Sequence, residues 1–122
     1  MILQFTKKQI GPGLTSLEIK GSIHCGPECT RLEQQVNELI GSKETRIIFD
    51  MAGVTHVDSA AIGAIVRCFS KLKNAGGGLR MACAQPMVDY SMKLTKMDRI
   101  IPGHPSVSEA AAAFASAGTA QA

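Results

Sequence analysis

The stretch VTHVDSAAIGAIV, residues 54 to 66, decides the fold because the hydrophobic period changes inside it. Just upstream, RIIFDM (46 to 51) is a short, nearly continuous apolar run, the pattern of a strand covered on both faces. Downstream, Ile62, Ile65, Val66, Phe69 and Leu72 recur at helical spacing, which predicts a helix from about Ser59 to Asn74. Asp58 and Ser59 stand at the seam between the two. Such a seam can be a helix cap, a catalytic elbow or a modification site. Residue chemistry alone favours the cap, since either side chain can accept a hydrogen bond from the first helical turn for about 1 kcal/mol. It does not explain why two cap-competent residues stand where one would do.

Working outward, LQF (3 to 5) and LEIK (17 to 20) alternate apolar and polar residues on either side of GPG (11 to 13), which reads as two strands joined by a turn. Pro27 opens a helix with Cys29, Leu32, Val36 and Leu39 on one stripe and Glu28, Arg31, Glu33 and Glu38 outside it, ended by GSK (41 to 43). Gly76-Gly77-Gly78 stops the second helix. LRMACA (79 to 84) alternates again, with Leu79, Met81 and Cys83 directed one way. Pro86 fits a first helical position, and the helix should continue to about Lys96. RII (99 to 101) reads as a brief edge strand ended by Pro102-Gly103, and Ser106 with Glu109 forms a capping box before AAAAFA. The order β-β-α-β-α-β-α-(β)-α implies an α/β fold, with a mixed four- or five-stranded sheet packed by about four helices. Crossovers between its parallel strands should be right-handed. Residues 1–117 form one domain and 118–122 a frayed tail.

Composition narrows the function. The 122 residues are 45% hydrophobic, with one Tyr and no Trp, so the core must be aliphatic, Met and Phe. No apolar run approaches the roughly 20 residues of a membrane span, and MILQFTKKQI lacks the layout of a secretory signal; a cytoplasmic location is expected. Thirteen basic and ten acidic residues leave a net charge of +3, too mild and too scattered for nucleic-acid binding. The cations of RCFSKLK (67 to 73) read as a solvated helix face. Met51, Met81, Met87, Met92 and Met97 read as core filler.

The remaining candidate chemistries lack parts. A hydrolase elbow needs G-x-S-x-G, but Ser59 has Val57 and Ala61 where the glycines belong. His24, His56 and His104 could serve as bases, yet no triad framework accompanies them. HCGPEC gathers His24, Cys25 and Cys29, but a zinc site needs a fourth ligand and no second cysteine pair follows. Cys29, Cys68 and Cys83 read as small core residues. His56 reads as surface. The glycine run has no G-x-x-x-x-G-K and is no phosphate loop. No cofactor and no metal are expected.

RIIFDMAGVTHVDSAAIGAIVRCFSKLKNAGGGLRMA (46 to 82) resembles the core of the STAS domain family, the bacterial anti-sigma-factor antagonists. The family's D-L-S-G-V corresponds to Asp50-Met51-Ala52-Gly53-Val54, and its D-S-S/A-G-L-G seam to Asp58-Ser59-Ala60-Ala61-Ile62-Gly63. LTKMDRII (94 to 101) and SVSEAAAAF (106 to 114) resemble its later segments, and KGSIHCGPECTRLEQQV (20 to 36) its G-x-L-D plus helix, so the likeness runs over essentially the whole chain. It implies a binding module, not an enzyme. The implied partner is an anti-sigma factor that is also a serine kinase, which would phosphorylate Ser59 and thereby lose the antagonist, with a phosphatase to reverse the step. The implied contact surface comprises Asp58, Ser59, Ala60, Ile62 and Gly63, with His24 in place of the family's acidic residue. The alternative is a STAS scaffold or accessory subunit, in a stress-signalling assembly or a lipid transporter, without a phospho-switch.

Overall fold

The computed structural model describes residues 3–24 and 26–121, without the side chains of 117–121. Cys25 and the side chains of the expected tail, 118–122, lie outside it.

A five-stranded sheet, in the order β1-β2-β3-β4-β5, carries four helices. β1 (Gln4–Gly11) and β2 (Leu14–Ile23) form an antiparallel hairpin whose turn uses Gly13 at φ 66, a conformation glycine adopts without a Cβ clash. β3 (Arg46–Val57), β4 (Gly78–Ala82) and β5 (Gly103–His104) follow β2 in parallel. α1 (Pro27–Gly41), α2 (Ser59–Asn74) and α3 (Pro86–Leu94) pack against one face of the sheet, and α4 (Val107–Gln121) against the other. The alternation in β3 produces these two layers. Ile47, Phe49 and Met51 enter the larger core with Leu32, Val36, Ile62 and Ile65, while Ile48 meets Ala110 and Phe114 of α4. The α1 stripe Cys29, Leu32, Val36 and Leu39 is buried as its spacing requires. Ser106 caps α4, its Oγ accepting the Glu109 N–H at 3.1 Å and donating to the Glu109 carboxylate at 3.3 Å.

Several expectations are corrected. The strand read over RIIFDM (46 to 51) is longer: β3 runs on through AGVTHV to Val57 by pairing with the end of β2. The register shifts between Glu18↔Asp50 and Lys20↔Gly53. A Cβ on Gly53 would stand 2.7 Å from Lys20 Cγ and 3.1 Å from the Ile19 carbonyl, so the glycine permits this irregularity. RII is not a strand. Lys96 adopts φ 61, ends the α3 region and starts a 3-10 turn over Met97–Arg99. Both Ile100 and Ile101 donate back to the Met97 carbonyl, at 3.0 and 2.9 Å. Strand pairing begins only at Gly103, opposite Met81. Cys83 leaves the Leu79–Met81 face because its own φ of 61 breaks the alternation, and it packs beside the α4 layer, half-buried. Phe69 is half-buried, not core. Met51, Met81 and Met92 are core, whereas Met97 only packs against it and Met87 is 64% exposed. The cations of α2 are not all solvated either. Arg67 and Lys71 both reach Glu33 of α1, at 3.1–3.2 and 3.3 Å, and Arg67 above all holds that carboxyl below its ordinary range.

Candidate functional site

The β2–β3 pairing builds the seam. Ile23 lies opposite Val57, so the residues that follow each strand, His24 and Asp58, come together. His24 Nδ1 stands 3.8 Å from Asp58 Oδ2, both side chains partly exposed. The Asp58 N–H also donates to the Ile23 carbonyl at 3.3 Å, tying the two chain ends.

Asp58 is the N-cap of α2. Its backbone is extended (φ −95, ψ 179), its Oδ1 accepts the Ala61 N–H at 2.7 Å, and its carbonyl accepts the Ile62 N–H at 3.0 Å. Ser59 is the first residue of the helix. It is exposed, and among the described residues its hydroxyl has no hydrogen-bond partner. The first turn continues with Ala60 and Gly63, both half-buried. Ala61 and Ile62 point into the core, with Ile62 8% exposed. Of the contact residues implied by the sequence, His24, Asp58, Ser59, Ala60 and Gly63 therefore offer surface at one place, and Ile62 anchors the helix beneath them. His56 is exposed, its strand register opposite Ser22.

The three described thiols are buried or half-buried. The Cys29 thiol is buried and donates to the His24 carbonyl at 3.1 Å. Burial pushes the Cys68 thiol up to about 12, with the Glu33 carboxylate adding to it; such a thiol carries little thiolate and is a poor nucleophile. Burial, then Asp50, likewise raises Cys83. Among the described residues, no three His, Cys, Asp or Glu side chains come together as a metal site. No described helix is long and apolar enough to cross a membrane.

Sequence reasoning missed one exposed surface, on α3. α3 leaves Met87, Tyr90 and Leu94 exposed by 64, 62 and 68%. Their spacing of three and four places them on one side of the helix, opposite the buried Val88 and Met92. The spacing was readable in MVDYSMKL (87 to 94); which of two apolar stripes would face the sheet was not. α3 starts at the carboxyl end of β4 and α2 at the carboxyl end of β3, both over the same face. Gln85, the residue before α3, donates to the Ala52 carbonyl of β3 at 2.7 Å. The starts of α2 and α3 thus belong to the same end of the sheet, and the apolar stripe runs along α3 from there.

Fold and seam together define a small α/β domain that presents a helix start with a free hydroxyl. The STAS domain profile matches residues 6–110, and the chain belongs to that family. A Thermotoga maritima protein named "putative anti-sigma factor antagonist" is 26% identical over 74 residues, 61% of this chain and 66% of that protein, so the match spans just under two thirds of the relative's length. Among solved structures, a Thermotoga maritima protein of the same description superposes with a TM-score of 0.81 at 21% identity, over 90% of this chain and 93% of its own. An anti-sigma factor antagonist from Mycobacterium paratuberculosis gives 0.78 at 18% identity, over 93% and 94%. The anti-sigma factor antagonist SpoIIAA, solved unphosphorylated, gives 0.73 at 14% identity over 88% and 92%; its phosphorylated form, from Bacillus, gives 0.67 at 13% identity over 88% and 96%. These likenesses establish the fold.

Proposed function

We propose that this chain is an anti-sigma-factor antagonist, that it binds an anti-sigma factor which is also a serine kinase, and that phosphorylation of Ser59 switches the binding off. The observation that carries the reading is the division of labour at the seam: Asp58 alone caps α2, which leaves the Ser59 hydroxyl exposed and without a hydrogen bond among the described residues. A kinase can take that hydroxyl without dismantling a cap. The phosphate would add about −1.5 to −2 charges at a helix N-terminus, where an anion is tolerated. The fold survives the modification, and the surface changes from neutral to dianionic. The likeness to SpoIIAA, known in unphosphorylated and phosphorylated forms, supports the same reading. The exposed Met87, Tyr90 and Leu94 stripe supplies apolar area of the kind protein partners cover, and His24, at the acidic position of the family, tunes which partner fits.

The test is incubation with a cognate kinase and ATP followed by peptide mapping. One phosphate on the peptide holding Ser59 is expected. Ser59→Ala should accept none there, because the next residue is Ala60 and offers no substitute hydroxyl. A protein that binds the partner but is never phosphorylated would favour a scaffold role.

A further inference from the structure

The opposite end of α2 borders a cavity of about 260 Å³ that the seam does not use. It lies where the sheet is incomplete. β5 pairs only with Met81 and Ala82, so among the described residues no strand lies on the outer edge of β4 from Gly78 to Arg80. Three cations line the opening: Arg46 from β3, Lys73 from the last turn of α2 and Arg80 from β4. Two phenyl rings, Phe69 and Phe114, line it with them.

The charges there are unbalanced. Arg67 and Lys71, on the same helix, share Glu33. Among the described residues, none of Arg46, Lys73 and Arg80 has a carboxylate partner. Arg46 donates to the Pro12 carbonyl. Arg80 donates to His104 Nε2 at 3.0 Å and lies 5.1 Å from the centre of the Phe114 ring. Both guanidiniums are thus held in place by neutral groups, with no carboxylate at ion-pair distance among the described residues. The neutral floor is equally specific. Gly78 lies under Phe114, where an added Cβ would come within 3.3 Å of the ring, so the glycine lets the ring close over the strand.

We propose that this cavity binds a small organic anion with a flat apolar or aromatic body: an acid group paired with Arg46, Lys73 and Arg80, and a ring set against Phe69 and Phe114. Carboxylate and sulfonate acids suit guanidinium donors, and the rings match a planar body. The volume is slightly below the usual 300–1,000 Å³ of drug-sized sites, which limits the ligand to about one ring system. With α2 rising about 1.5 Å per residue, Lys73 stands about 20 Å from Ser59, so occupancy need not touch the seam.

The experiment is a titration of the full ¹⁵N-labelled chain with 1-naphthoate, its neutral counterpart 1-naphthalenemethanol, and inorganic phosphate. Naphthoate should shift the amides of Gly76 to Arg80 saturably, with a Kd of about 1 mM or tighter. The neutral alcohol and phosphate should each bind at least fivefold more weakly. Lys73 is exposed, so Lys73→Gln should fold as wild type and weaken naphthoate at least threefold. Arg80→Gln, checked for an intact spectrum, should weaken it further. Equal binding of the neutral alcohol would overturn the proposal by removing the anion, and equal binding of phosphate by removing the ring. Shifts confined to other residues, or none below about 10 mM, would leave no site here.

Discussion

The Asp58 carboxylate accepts the Ala61 N–H at 2.7 Å, and Ser59, which lies between the two in sequence, takes no part in the cap. The doubled polar seam is therefore two residues with two tasks. Asp58→Ala should lower stability by about 1 kcal/mol, the usual loss for an N-cap. Ser59→Ala should change it by no more than about 0.5 kcal/mol, as for a surface position. Urea unfolding of the pair measures both. Equal losses would mean that the hydroxyl shares the capping.

Core substitutions separate the two phenylalanines that the sequence treats alike. Phe49 is fully buried between β3 and the helices, so Phe49→Ala should cost about 3 to 5 kcal/mol. Phe69 is half-buried beside the cavity, and Phe69→Ala should cost roughly half as much, in proportion to the area lost. Parallel unfolding curves giving the reverse order would contradict the placement of α2.

The glycine run should be unequal position by position. A Cβ on Gly77 would stand 1.8 Å from the Thr45 carbonyl oxygen, with no flexible neighbour to yield. Gly77→Ala should therefore be severely destabilising, by about 4 kcal/mol or more, at the far end of single-residue effects. Gly76 sits at φ 88 with nothing within 4 Å of an added Cβ, so Gly76→Ala should cost only about 1 kcal/mol of backbone strain. Thermal midpoints would rank them.

Much of this was legible beforehand, and the failures share a cause. Strong single-face periods survive in the structure: Cys29, Leu32, Val36 and Leu39 on α1 and Ile62, Ile65 and Leu72 on α2 are buried where their spacing puts them, while Val66 and Phe69 flank the α2 stripe half-buried. The Ser106 cap is local chemistry and was equally readable. What the sequence hid depends on contacts distant in the chain. The length of β3 follows from β2 pairing with it across a register shift at Gly53. The short β5 follows from Lys96 and the Met97 turn, which consume Arg99 to Ile101. Arg67, Lys71 and Lys73 look identical as a charge run, but Glu33, 34 to 38 residues away, takes two and leaves the third. At the seam, the spacing brought Asp58 and Ser59 together, whereas the approach of His24 needed the Ile23↔Val57 pairing.

Acid should weaken the α4 side of the domain through His104. Burial, and then the neighbouring Arg80 charge, hold its pKa below 6.5. As pH falls through about 6.5 the unfolded chain takes up the proton first. The stability linked to a neutral His104 is thus fully present above that pH and is lost as pH drops toward the folded value. Protonation also removes the acceptor that Arg80 uses at 3.0 Å. Unfolding free energies at about pH 7.5 and 5.5 should fall more for wild type than for His104→Gln. Identical slopes would show that the histidine titrates normally.

The decisive prediction concerns Ser59 as a charge switch. Ser59→Asp places one carboxylate at the first position of α2, where the helix end favours an anion. It should fold with wild-type stability or slightly better. The same carboxylate adds like charge beside Asp58 on a surface that is neutral at Ser59 in the unmodified protein. Binding to the proposed anti-sigma partner should weaken at least tenfold, or about 1.4 kcal/mol, and Ser59→Ala should bind as wild type. Calorimetry with the three proteins separates the possibilities. If Ser59→Asp binds as tightly as wild type while folding normally, the negative charge is not what the partner reads. The exposed hydroxyl would then be an unused group at the start of α2, and the domain a scaffold whose contacts lie elsewhere, with the Met87, Tyr90 and Leu94 stripe the next surface to substitute.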